Sequence, residues 1–182
     1  MRTLCICCLT IAAVMLSRPT RADDEQAKEV KKHIETLQKS KDGKARRSAV
    51  SDLSLISSID PSAVVPAVPV LIDVLKNDKD AQLRGAAALV LASTGAEAKQ
   101  AVPVCVALLK DDKLDADLHI AVATLVGSIG GNGAVEAKAA LPILMAIAKA
   151  EGDKDDLKRN DKLLEAVNGA IGQIQEGTKD KE

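Results

Sequence analysis

His33, His119 and Cys105 are the side chains best suited to metal binding or nucleophilic chemistry in the part of the sequence beyond residue 22. His33 lies one residue before Ile34, on what reads as a core stripe, and a solvated or boundary histidine accounts for it. His119 falls near the start of a later helix and reads as a structural or surface residue. The two belong to different units of the chain and do not meet, which argues against a two-histidine metal centre. Cys105 occupies a position where a related segment has Leu, so a buried, inert thiol is expected. A nucleophilic cysteine would need a base beside it.

Other segments fail on spacing. "GSIGGNGAVE" (127–136) has glycines but not the order G-x-G-x-x-G, and it follows a helical pattern where phosphate binding needs a strand. A helix stop and a turn explain it. "DDKLDAD" (111–117) and "GDKDD" (152–156) raise the question of calcium, yet neither has the spaced oxygens and final Glu of an EF-hand loop. Capping and solvation are the structural alternative. "VGS" is not embedded in G-x-S-x-G. These residues give no catalytic constellation, no metal site and no cofactor site.

The elements that carry them come from a repeat. "AVPVLIDVLK" (67–76) returns as "AVPVCVALLK" (101–110), 34 residues later, and "LPILMAIAK" (141–149) is a looser third copy. Pro69, Pro103 and Pro142 each sit in the first turn of a helix, where a missing N–H costs nothing. Apolar residues follow at helical spacing, as in Val68, Ile72 and Leu75. Lys76, Lys110 and Lys149 stand near the C-terminal ends, favourably for the helix dipole.

A second helix follows each acidic stretch. "DGKAR" (42–46), "DAQLR" (80–84), "DADLH" (115–119) and "NDKLL" (160–164) align, with Asp42, Asp80, Asp115 and Asn160 placed as N-caps. Behind them run Ala49, Val50 and Leu53; Ala87, Val90 and Leu91; Val122, Leu125, Val126 and Ile129; and Val167, Ala170, Ile171 and Ile174. Helix stops are expected at Gly95, at Gly130-Gly131 and near Gly177. The cap-to-cap spacings are 38, 35 and 45. A helix-turn-helix unit cannot bury its own apolar faces, so four of them stack. The fold class is all-α: a right-handed α-solenoid of about four units, at about 26–60, 64–98, 101–131 and 135–176, in one domain spanning 23–176 with a polar tail at 177–182.

The segments "VPVLIDVLK", "DAQLRGAAALVLASTG" and "LHIAVATLVGSIG" resemble HEAT repeats, including those of phycobilisome lyases. The resemblance implies an Asp–Arg ladder between layers, filled here by Asp42–Arg46 and Asp80–Arg84. His119 and Leu164 depart from it in the third and fourth units. It also implies a non-catalytic interaction or scaffold module, with an accessory or lyase-like protein as the alternative. Tetratricopeptide repeats share the period but want aromatic residues, and the chain has none.

Composition narrows the partners. Without Phe, Tyr or Trp there is no stacking platform for single-stranded nucleic acid and no cage for quaternary ammonium. The N-terminus reads as a secretory signal: Arg2, an uncharged run from Leu4 to Leu16, then small residues before a cut after Ala22. An uncleaved anchor is the alternative, although the run is short of the ~20 residues that span a bilayer. Removing residues 1–22 takes three of the four cysteines and three of the 25 Lys+Arg residues, leaving net charge −4 and a lone Cys105. An exported protein (periplasmic or secreted) is expected, without an internal disulfide, a nucleic-acid footprint or stable membrane insertion. Its partner would be another protein or a peptide. Non-core positions of the second helices that face it include Arg47, Ser51 and Asp52, then Gly85 and Ala88, Thr124 and Ser128, and Asn168; Arg47 and Asp52 are the expected contacts.

Overall fold

The computed structural model describes residues 21–179, and among these there are α-helices and short 3₁₀ segments but no strand. Eight α-helices follow in order: α1 (Arg21–Lys39), α2 (Gly43–Ile59), α3 (Val68–Asn77), α4 (Ala81–Ser93), α5 (Val102–Leu109), α6 (Ala116–Gly131), α7 (Leu141–Gly152) and α8 (Asp161–Gly177). They pair as α1/α2, α3/α4, α5/α6 and α7/α8, so the described chain is an α-solenoid of four helix-turn-helix layers. The proposed signal (1–22) lies outside the described residues except for Arg21 and Ala22, the first two of α1, and so does the end of the tail (180–182). No helix among the described residues is long and apolar enough to cross a membrane.

Local chemistry sets the helix starts. Asp42 accepts from the Lys44 amide at 2.9 Å, Asp115 from Asp117 at 3.0 Å and Asn160 from Leu163 at 3.1 Å. Asp80 accepts from Gln82 and Leu83 at 3.0 and 3.3 Å. Each bond satisfies an amide that has no partner inside its helix. Pro69, Pro103 and Pro142 stand in the first turns of α3, α5 and α7.

Before each of those helices the chain makes a 3₁₀ segment: Pro61–Ala67, Gly95–Ala101 and Val135–Ala140. Val64 and Ala67, Ala98 and Ala101, and Ala137 and Ala140 are completely buried. Their i, i+3 spacing is the 3₁₀ period, which puts both members of a pair on one side. The recurring decapeptide therefore begins one residue before a helix, on the last buried alanine of this segment.

The helices stop where expected, but at two of the three stops the named glycine is not left-handed. Gly95 has φ +56° and does end α4 in the left-handed region. Gly130 and Gly131 are helical, and the left-handed residue after α6 is Gly133, φ +85°. Gly177 closes α8 without a positive φ. Gly130 and Gly177 serve close approach. A Cβ on Gly130 would stand 2.9 Å from the Ile174 Cα, one on Gly127 2.8 Å from the Ala170 Cα, and one on Gly177 would meet the Gly130 carbonyl oxygen. α6 and α8 thus meet backbone to backbone.

The core is aliphatic throughout, with Leu53, Leu71, Leu75, Leu91, Leu125, Leu144 and Ile174 among its fully buried side chains. Second helices (α2, α4, α6, α8) pack along the stack, whereas first helices touch their neighbours sparingly. The second helices therefore form one continuous packed row through the stack.

Candidate functional site

On the second-helix side, polar pairs tie layer one to layer two and a groove lies beside them, while a second opening lies between the ends of α6 and α8. The pairs begin with Asp78, two residues before the cap of α4. Its Oδ1 accepts from the Asp80 amide at 2.8 Å, and its Oδ2 lies 2.5 Å from Nη1 of Arg46 on α2. The Asp78 side chain is only 5% exposed, so the facing guanidinium offsets the cost of burying its charge. Next to it, Arg47 Nη1 donates to Asp80 Oδ2 at 2.5 Å. Asp80 therefore works with both oxygens, one capping α4 and one receiving Arg47. The Arg47 bond, then the Leu83 and Gln82 amides, hold its carboxyl below the usual carboxylate range.

This arrangement corrects the ladder implied by the resemblance. Arg46 pairs with Asp78 and not with Asp42. Arg84 does not extend the pattern to the third layer; its Nε donates at 2.9 Å to the Leu75 carbonyl at the end of α3, in its own layer. There it serves one of the unpaired carbonyls of a helix terminus. His119, at the same helical position, is half-buried. Glu151 is the buried carboxylate of the last layer. Glu151 repeats the job of Asp78: its Oε2 accepts from the amide of cap residue Asn160 at 3.1 Å, while Oε1 receives Lys154 Nζ at 2.5 Å. The Lys154 bond is the largest influence lowering its carboxyl below the ordinary value. Asp78 and Glu151 were missed in the sequence, where one signal was present: Ser40, Asp78 and their caps Asp42 and Asp80 share a two-residue spacing, and Ser40 Oγ accepts from the Asp42 amide at 3.1 Å.

His33 is also corrected. It is 8% exposed, on a buried stripe with Val30 and Leu37, while Ile34 is only partly buried. Its Nδ1 faces Asp52 Oδ2 at 3.8 Å across the α1/α2 pair. Asp52 also takes the Ser48 hydroxyl at 3.4 Å. Of the two expected contact residues, Arg47 is thus engaged by Asp80 and Asp52 by His33. Cys105 is fully buried, and burial pushes its thiol up to about 12, far from the thiolate that nucleophilic chemistry needs. No group of three or more His, Cys, Asp or Glu among the described residues could hold a metal ion.

The groove runs between α2 and α4, with a volume of about 330 Å³. Val50, Leu83, Ala86 and Leu89 supply its apolar surface, and Arg47, Ser51, Ser54 and Gln82 its polar surface. Ala88, expected on this face, is completely buried; its neighbour Leu89 is the one that projects, 55% exposed. Thr124 continues the face on α6, whereas Ser128 uses its hydroxyl on the Ala92 carbonyl at 2.5 Å, joining α6 to α4. Asn168 is exposed on α8.

Comparison with known families gives one match: the description "HEAT repeats" fits residues 68–159, from the first residue of α3 to the turn before α8. No curated protein matches the chain.

Proposed function

The chain belongs to the HEAT-repeat family, and we propose that it is an exported, non-catalytic module that holds another protein or peptide on the surface of its second helices. HEAT repeats generally serve protein–protein interaction and scaffolding. The observation that carries the reading is the asymmetry of the stack: second helices pack against one another in a row, and the α2–α4 groove opens between two of them. Stacked helical layers offer a long concave surface of this kind for a partner. Export is supported by the three-part N-terminus, and mass spectrometry of secreted or periplasmic material should find a chain beginning at Asp23. Intact Met1 in a soluble cytoplasmic fraction would sink that part.

The interaction is tested by capturing partners from the exported fraction with the intact protein, cross-linking, and mapping the cross-links. They should fall on α2, α4 and α6. Partners attached only to the first helices would overturn the assignment of the docking face.

A further inference from the structure

We propose that the α2–α4 groove takes an uncharged, aliphatic segment of another protein, anchored by one large apolar side chain against Leu89. The inference deepens the reading above and rests on the second-helix face being the docking face. Its basis is electrostatic matching. Among the described residues Arg47 is the only ionisable one lining the groove, and Asp80 already compensates its charge at 2.5 Å. Ser51, Ser54 and Gln82 present hydroxyls and an amide. They suit the backbone N–H and C=O groups of a bound segment and offer no counter-ion to a charged side chain. A carboxylate or ammonium seated here would lose hydration without an ionic partner.

Shape points the same way. Leu89 is 55% exposed beside a cavity of about 330 Å³. Apolar surface on the partner would remove it from water. Further along, on α6, Ile120 is half-buried and Thr124 exposed, but exposed Asp117 stands where α4 has Gln82, so the uncharged character belongs to the α2–α4 groove. With the one guanidinium already paired, binding should depend little on ionic strength.

The test is a selection of peptides from a random library against the intact protein. The proposal expects binders depleted in Asp, Glu, Lys and Arg, carrying a Leu, Ile or Met anchor. Their affinity should hold as salt rises from about 0.05 M to about 0.5 M. Leu89→Glu should weaken them roughly ten-fold or more, with helicity and melting unchanged. Met145→Glu, at an exposed position on α7, should not affect them. Acidic or basic binders with steep salt dependence would overturn the proposal, as would indifference to Leu89→Glu or no binders at all. So would self-association that Leu89→Glu abolishes, because the occupant would then be a second copy. Charged binders that map to α2, α4 and α6 would sink this inference and leave the docking face standing. Binders that map to the first helices would sink both.

Discussion

The solenoid joins its first two layers and its last two in different ways. Between layers one and two, α2 reaches the turn before α4 through Arg46–Asp78 and Arg47–Asp80, and the helices leave a groove open beside those pairs. Between layers three and four, Gly127 and Gly130 let α6 lie against Ala170 and Ile174 of α8, with no space for a Cβ. Directional polar pairs can hold two helices in register at a distance. Glycine contacts hold them only by bringing the backbones together, where many small dispersion terms add. The first interface therefore leaves an open groove along α2 and α4, whereas the second packs backbone against backbone and leaves its opening at the C-terminal ends of α6 and α8, beside Ser128, Gln173 and Glu176.

The largest effect expected from breaking this comparison is at Gly130. Gly130→Val drives a branched side chain into Ile174 and should cost about 3 kcal/mol in chemical denaturation, the upper end of overpacking. At the other interface, Arg46→Met leaves the Asp78 carboxylate buried without its cation and should cost about 1–3 kcal/mol. Adding Asp78→Leu should recover most of that loss, because an apolar pair of similar volume replaces a broken ionic one. Failure of the second change to rescue the first would mean that Asp78 matters mainly as the acceptor for the Asp80 amide.

Asp80 sharpens the comparison further, since it caps a helix and ties two layers. Asp80→Ala should cost about 0.5–2 kcal/mol, and Asp80→Asn much less, because Asn still caps. Melting should be indifferent to calcium or chelator. A calcium-dependent rise, lost equally in both variants, would make the acidic turns ion sites. The Asp80 and Glu151 carboxyls both lie below their ordinary values in the fold. Their contribution is therefore complete above the unfolded carboxylate range, about pH 4, and is lost as pH falls through the lower folded values. Thermal melts taken down to about pH 3 should show a smaller acid-induced drop for Asp80→Asn than for the parent. The smallest effect is a gain: a Cβ on Gly85 of α4 meets nothing within 4 Å, so Gly85→Ala should raise stability by about 0.5–1 kcal/mol.

What could be read in the sequence was what short-range chemistry decides. The caps Asp42, Asp80, Asp115 and Asn160, the prolines of α3, α5 and α7, and the apolar periods follow from residues within one turn of each other. The choice of partner did not. Arg46, Arg47 and Arg84 carry the same chemistry, and only the spacing of layers sends the first two to another unit and the third to Leu75. Glycine was ambiguous for a related reason: one residue type serves left-handed turns, as at Gly95, and close helix approach, as at Gly130, and a single sequence separates neither. His33 was misplaced because the 30/33/37 spacing puts it on the buried stripe with Val30 and Leu37, while Ile34 lies at the stripe's edge. The buried i, i+3 pairs of the 3₁₀ segments were present in the sequence but hidden by short length.

Native-state hydrogen exchange tests the central contrast most directly. Contacts in a stack run between neighbours, so different layers can open at different free energies. The account predicts that the core amides of α6 and α8 exchange only in the least frequent opening, while α1 and α2 exchange through a more frequent one that Arg46→Met makes more frequent still. Equal protection of α2 and α6, responding together to Arg46→Met, would contradict it, since the two interfaces would then be one cooperative unit.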